Sequence, residues 1–535
     1  MIELYGDRKD TAKDARFFVG RLESMTAGYH ARELDAVFGD FSAFTAACRE
    51  VQCDAARFQI DACRLNPKLA GYCYTQLCDA GHEIAAGVLD HWRNPKPVFH
   101  TLEHVQDPVR LIIHAKQTNL VPRQETDLTA TLVSDVRLEG PCEISLQVIG
   151  PTKQVLWKKK RVLPTIKNNK VIWSGAVSAS GAAGTHCFVI ALRKGRKILA
   201  EESLDFFVTA PAESFTEPVQ VIDPHGDWVG RLKILTKTDV VDAPIIIVPP
   251  LGNTIRAYPG EKMSQVLARV HDGAVALIFE PPNDWNDLAE KVDKEICATS
   301  KDAVGAFLGM YHYVKVHPVF EGLPSRCLMR QPYRNVVPAK TFVENSDEDI
   351  CGTFDTTPMA PGHYMIKDAP WWGSDILVRR YGSGRLVFTH LRIFESLGVD
   401  PVADKLLFNM LRHFHRRAVP SGDLVTPHQQ ALEWFKKEQK DNLRRWMVCG
   451  MFPNWGDRGH DTAYPPETGL AFDAIYEGWY KPITWRRWYS LGHEKHRVNL
   501  QDAFTPIFEY YPRFDRGTGY AYTEFSSLER MPACL

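Results

Sequence analysis

The sequence predicts a multidomain chain in which α/β segments are joined to all-β ones. Three observations lead to that class. Residues 12 to 65 carry apolar side chains at three- and four-residue steps, the spacing of one helix face. Residues 107 to 210 switch to short alternating runs bounded by Pro, Gly, Asn or Asp, as antiparallel strands do. Beyond 218 come two unbroken apolar runs, APIIIVPP and AVALIFEPP, with an amphipathic helix between them, the pattern of parallel strands buried on both faces. A chain of 535 residues, 44% hydrophobic and 24% charged, is an ordinary globular composition spread over roughly three or four cores.

Charge and composition exclude several classes. A formal net charge of −1 offers no basic excess, so neither a nucleic-acid nor a membrane-surface partner is expected. No run approaches the ~18 apolar residues of a membrane-spanning helix. The opening MIELYGDRKD lacks the apolar core of a signal peptide, which makes the cytoplasm the default expectation. Twelve cysteines include no Cys-x-x-Cys pair. Five of them, Cys48, Cys53, Cys63, Cys73 and Cys78, fall near the N-terminus and are read as buried reduced thiols of a reducing compartment. His493 and His496 are one residue short of the spacing that puts two ligands on one helical face, and His413 and His415 point to different sides of a helix. No metal and no cofactor are expected.

In chain order, TAKDARFFVGRLESMTAGYHARELDAVF reads as helix, and Asp40 caps a second helix that closes at Asn66-Pro67. LAGYCYTQL then reads as a strand whose polar members Thr75, Gln76 and Asp79 gather at its C-terminal end, where parallel α/β barrels keep their active-site groups. Glu83, Gly87 and residues 90 to 96 follow as a loop toward the same end. Gln76, Asp79 and Glu83 could equally satisfy buried backbone at a strand end.

Tyr74-Thr75-Gln76-Leu77-Cys78-Asp79, then Glu83, Gly87, Asp90, Arg93 and Pro95-Lys96 resemble the last barrel strand and exit segment of family 2 glycoside hydrolases, which include β-galactosidase-, β-mannosidase- and β-glucuronidase-like enzymes. The resemblance implies that residues 1 to 106 are the C-terminal part of a (β/α)8 barrel and that Tyr74, Gln76, Asp79 and Glu83 line a carbohydrate site. A retaining glycosidase needs two carboxyl groups about 5 to 5.5 Å apart. The family's proton donor lies on a barrel strand with no counterpart here. Its nucleophile sits in a Ser-Glu-x-Gly context, to which only Glu3 is comparable, without the serine and with the glycine one position late. Glu3 is thus a nucleophile remnant or a frayed terminal residue.

Residues 107 to 210 read as an immunoglobulin-like β-sandwich with a hairpin at Lys194-Gly195-Arg196 and a spacer role. Residues 218 to 417 form a βαβ unit in a doubly wound, flavodoxin-like sheet and resemble the glutamine-amidotransferase-like accessory domain of some β-galactosidases. That chemistry needs a cysteine on the turn after a strand. The turn here reads Phe279-Glu280-Pro281-Pro282, so the fold is expected without the activity. Gly382-Ser383-Gly384 lies between strands and reads as a hairpin turn.

Residues 431 to 535 are aromatic-rich and look like the opening strands of a β jelly roll, carbohydrate-binding-like, in which Trp485 and Trp488 either stack on sugar rings or fill the core. A partial barrel and a partial jelly roll make a fragment of a longer protein the expectation. The function expected is that of part of a retaining glycoside hydrolase acting on β-linked sugars, inactive alone for want of its acid/base strand. The alternative is a non-catalytic carbohydrate-binding or scaffolding protein, so whether the chain is an enzyme stays open. In either case the partner is a carbohydrate.

Overall fold

The computed structural model describes residues 13–79, 87–164, 170–178, 181–224, 226–238, 240–250, 260–281, 285–302, 310–355, 371–418, 445–454, 462–478, 482–489, 498, 500 and 517–523. The chain is a mixed α/β structure with several separate sheets.

The N-terminal helical stretch is α1 (Lys13–Ala31) and α2 (Phe41–Leu65). The break between them falls at Glu33, whose φ of 53° is the left-handed region no helix can continue through. Asp40 caps α2 as its sequence position demands, its carboxylate accepting from the Ala43 N–H at 2.7 Å. The helix ends at Asn66, extended ahead of Pro67.

The strand expected over 69 to 77 is absent. Residues 66 to 79 run as irregular chain, joined to the loop beyond by one isolated bridge, Cys78 to Leu89. A strand needs a neighbour that takes up its amides in a ladder, and among the described residues this segment meets the loop 88 to 96. That loop receives the backbone bonds instead: Val88 N–H to Gln76 O at 3.0 Å, Leu89 N–H to Leu77 O at 2.8 Å and Asp79 N–H to Leu89 O at 3.0 Å. Helix α3 (Pro97–Val105) then packs on α2 through Val98, Leu102 and Val105 against Cys53, Ala56 and Ile60.

Eight strands come next: β1 (Val109–Ala115), β2 (Asn119–Leu120), β3 (Glu125–Ser134), β4 (Cys142–Ile149), β5 (Val155–Leu163), β6 (Lys170–Ser178), β7 (Gly184–Lys194) and β8 (Lys197–Val208). They form two sheets, β1-β3-β6 and β2-β8-β7-β4-β5. Alternate burial along β4 shows why its sequence alternates, since Ile144, Leu146 and Val148 enter a core shared with Leu111, Leu128, Leu132, Trp173 and Phe188. The β7–β8 hairpin turns at Gly195, φ 58°, as its sequence predicts.

Strands β9 (Val219–Val221), β10 (Ile245–Val248) and β11 (Val275–Phe279), with helix α4 (Gly260–His271) between the last two, begin a third sheet. Helix α5 (Trp285–Val292) leads into a sheet that no sequence pattern announces: β12 (Ser300–Asp302), β13 (Met310–Val314), β14 (Cys327–Leu328), β15 (Lys340–Phe342), β16 (Cys351–Asp355) and β17 (Trp371–Ser374), antiparallel, in the order β12-β15-β17-β16-β13-β14. The chain then returns to the third sheet with β18 (Ile376–Tyr381) and β19 (Gly384–Thr389), giving the order β18-β19-β11-β10-β9 with the last four parallel. Gly382 makes the hairpin turn between β18 and β19. Helices α6 (Ile393–Ser396) and α7 (Pro401–His415) complete this stretch.

The unbroken apolar runs have a direct explanation. Ile245, Ile247, Val275 and Leu277 face Leu406, Leu407 and Met410 of α7, while Ile246, Val248, Ala276 and Ile278 face Met263, Val266 and Leu267 of α4. Helices cover both faces, so every residue must be apolar. The doubly wound expectation therefore covers this sheet and misses the antiparallel one.

The N-terminal helices dock on that antiparallel sheet, Tyr29 and Phe44 packing with Tyr313, Phe354 and Trp372. At the C-terminal end, β20 (Arg445–Pro453) pairs with β23 (Arg486–Tyr489) and β24 (Gly517–Tyr522), beside a small ladder of β21 (Ile475–Tyr476) and β22 (Ile483–Thr484).

Candidate functional site

Among the residues predicted to face a saccharide, Tyr74, Gln76 and Asp79 lie on one segment. Asp79 is only 8% exposed. Its carboxylate accepts from the Gly87 N–H at 2.8 Å and from the Lys96 ammonium, 3.1 Å to each oxygen. A Cβ on residue 87 would fall 2.4 Å from the Asp79 nitrogen, so glycine is required there. The spacing Asp79, Gly87, Lys96 that resembles a site is a clasp that closes the loop on itself. Asp90 fixes the same loop: its carboxylate accepts from the Trp92 and Asn94 N–H groups and from the Asn94 side chain, and these bonds hold its pKa below the usual carboxylate range. Tyr74 is half-buried against the cluster beneath α2 and α3, where burial raises its hydroxyl pKa. Gln76 is half-buried and its carbonyl serves Val88. Glu3 and Glu83 lie outside the described residues.

The aromatic pair is elsewhere. Trp485 is 2% exposed and packs in a core with Met447, Cys449, Phe452 and Ile483, edge-on to Phe472, so it has no face to offer a sugar. Trp488, half-buried on β23, stands opposite Trp446. The thiols also divide: Cys48 and Cys53 are buried as expected, whereas Cys63 and Cys78 are half-buried and Cys73 is exposed.

A second group of polar side chains gathers where β11 and β19 end. Open parallel sheets place ligands outside the carboxyl ends of their strands. Glu280, the first residue past β11, is held at φ 66° and its N–H donates to Thr389 O at 2.9 Å. His390 follows β19, stacks on Phe342 at a centroid distance of 4.7 Å and 21° between planes, and lies 2.7 Å through Nε2 from the Ser300 hydroxyl. Burial pushes the His390 pKa down to about 4, against the pull of Glu280. Burial raises the Glu395 carboxyl, and Glu280 adds to the rise. The turn after β11 thus opens with a carboxylate in a left-handed conformation. Sequence reasoning misses His390 and Ser300. For His390 the signal available was a polar residue immediately after the strand run of β19, whereas Ser300 opens the three-residue β12 and carries no such signal.

A third group could hold a cation by composition. His317 Nε2 and His413 Nε2 lie 2.8 and 2.9 Å from the same Glu348 oxygen, which Arg417 approaches at 3.1 Å. The Val319 N–H donates to His317 Nδ1 at 3.2 Å, so the ring proton sits on Nε2 and is given to Glu348. A metal at Nε2 would need that proton moved onto a nitrogen already facing a donor. The set fits a hydrogen-bonded cluster and does not fit a metal.

No known family profile matches the sequence, and no curated protein matches it. Solved structures give shallow likenesses. A glycosyl hydrolase family 2 member from Bacteroides cellulosilyticus aligns at 9% identity and TM-score 0.17 over 33% of this chain and 23% of its own. The β-D-mannosidase of Dictyoglomus thermophilum aligns at 12% identity and TM-score 0.24 over 32% and 22%. A conjugative transposon lipoprotein from Bacteroides eggerthii aligns at 14% identity and TM-score 0.14 over 18% and 96%. The chain spans under a quarter of those two glycosidases' length. Likeness at this depth establishes neither fold nor activity.

Proposed function

We propose that residues 1 to 106 are the closing segment of a (β/α)8 barrel and that the chain is the C-terminal portion of a retaining family 2 glycoside hydrolase acting on β-linked sugars. In this reading 107 to 210 are an immunoglobulin-like spacer, 218 to 417 an amidotransferase-like accessory domain and 431 to 535 part of a jelly roll.

The observation that supports it is a set of exposed large apolar side chains, aromatic ones among them, between residues 58 and 99. Phe58 and Leu77 are each 68% exposed, Leu69 49% and Trp92 48%, with Tyr72 and Phe99 beside them in the sequence. Large exposed apolar patches on a folded chain commonly mark a surface that a partner covers. This is what the end of a ring of strands presents when its neighbours are missing, and a neighbouring strand would also supply the ladder that residues 69 to 77 lack. The clasp of Asp79, Gly87 and Lys96 keeps the segment shaped for that partner. Tyr74 and Gln76 then remain as lining residues, and Asp79 as the residue that holds them. Burial of Trp485 takes away half of the support for a free-standing sugar-binding module.

The test is a panel of nitrophenyl β-glycosides offered to this chain and to the complete product of its gene. Turnover is expected from the longer polypeptide alone. Turnover by this chain, or by neither, overturns the reading.

A further inference from the structure

The Ser300–His390 contact joins two elements ninety residues apart, and three features make it more than a chance meeting. Ser300 is exposed, so its hydroxyl can be reached. Its position is set from behind: the Thr299 N–H donates to both Glu344 oxygens at 2.9 and 3.0 Å, Asn286 accepts from the Ala298 N–H at 2.8 Å and donates to the Thr299 hydroxyl at 3.1 Å. The imidazole is set from beneath by Phe342, which is also the strand partner of Ser300, so serine and histidine stand over one aromatic floor. Beside them Glu280 keeps a left-handed backbone that a non-glycine residue adopts at a penalty, a form of strain that concentrates at functional sites.

We propose that Ser300 and His390 are a nucleophile and base that transfer the acyl group of an uncharged or cationic ester to water. The Ser300 oxygen attacks the ester carbonyl as His390 Nε2 takes its proton. The carbon–oxygen bond to the alcohol then breaks, the alcohol leaving with that proton and the acyl group staying on Ser300. Water attacks the acyl-serine, His390 takes a proton from it, and the carboxylic acid departs as the serine oxygen recovers its hydrogen. Glu280 and Asp375 act on His390 by their charge and Glu344 accepts from the Thr299 N–H beside Ser300, so the carboxylates near the pair disfavour an anionic ester. Lys340 is near enough for its charge to oppose protonation of His390, and in this proposal the same charge favours the carbonyl oxygen as it becomes negative. The assignment does not depend on the barrel reading.

The experiment uses the full chain and 4-nitrophenyl acetate, with rates, acetylated peptides and thermal stability measured for the wild type, Ser300→Ala and His390→Gln. Nitrophenolate release is expected from the wild type, with the acetyl group trapped on Ser300. A fall of about 100-fold or more is expected in either variant at unchanged melting temperature. The wild-type rate should hold as pH falls through the ordinary imidazole range and decline only towards about pH 4. Release that survives Ser300→Ala, acetyl on another residue, or a wild type that releases nothing overturns the proposal. Should His390→Gln fail to fold, the Ser300→Ala comparison decides alone.

Discussion

The ammonium of Lys96 lies 3.1 Å from both oxygens of the Asp79 carboxylate, inside a loop whose Gly87 N–H binds the same carboxylate. Both partners are nearly buried, with side-chain exposures of 11% and 12%. Burying such a pair gains little over an apolar pair, but removing one member strands the other's charge away from water.

Lys96→Met is therefore expected to destabilise the N-terminal unit by about 3 to 5 kcal/mol. The measurement is urea denaturation followed by the fluorescence of Trp92. A change of under about 1 kcal/mol would mean that Asp79 finds water in the folded chain.

A larger buried network ties α2 and α3 to the sandwich. Arg110, 1% exposed, pairs with Asp61 at 3.0 Å and with Glu202, while His104 and Arg57 also reach Glu202. Burial works against the arginine's charge, yet Asp61 and Glu202 outweigh it and raise its pKa. Arg110→Met should lower stability by about 3 to 5 kcal/mol and expose the α3–β1 junction to protease. Unchanged cleavage there would show that apolar packing alone holds the two units together.

Acid should loosen α7. Burial disfavours the Glu348 charge, but donation from His317 and His413 and the charges of His413 and Arg417 prevail, holding the carboxyl below its ordinary value. A depressed carboxyl stabilises the fold fully above that ordinary value, near 4.5, and the contribution fades as pH falls below it. Urea midpoints at about pH 7 and about pH 3 should therefore differ less in Glu348→Gln than in the wild type, and the variant should be weaker at neutral pH by about 1 to 3 kcal/mol. Equal pH dependence in the two proteins would contradict this.

Zinc should not raise the melting temperature of the chain, and a chelator should not lower it, because the His317 lone pair is already engaged by Val319 N–H. A metal-dependent shift that Glu348→Gln abolishes would reverse the assignment of that cluster.

Legibility from sequence depends on where each signal is stored. Asp40 and the run at 245 to 248 are readable because a cap and a doubly covered strand are written in consecutive residues. Residues 69 to 77 mislead because strand character belongs to a pair, and their alternation does not say whether a partner is present. The antiparallel sheet from 300 to 374 stays hidden because β14 has two residues and β12 and β15 three each, too short to show a period. Asp79 stands out by its spacing, but spacing alone does not separate a residue that binds a sugar from one that binds Lys96. Trp485 poses the same ambiguity, since an aromatic side chain suits a core and a sugar face alike. Ser300 and His390 meet only through folding, which brings two strand ends to one edge.

The barrel reading is tested most directly by sequencing the transcript upstream of the Met1 codon. The expected result is an open frame that continues into further strand and helix repeats and carries an Asn-Glu pair after one of the strands. An in-frame stop with no such repeats would leave the exposed faces of Phe58 and Leu77 without their proposed cover and would contradict the account.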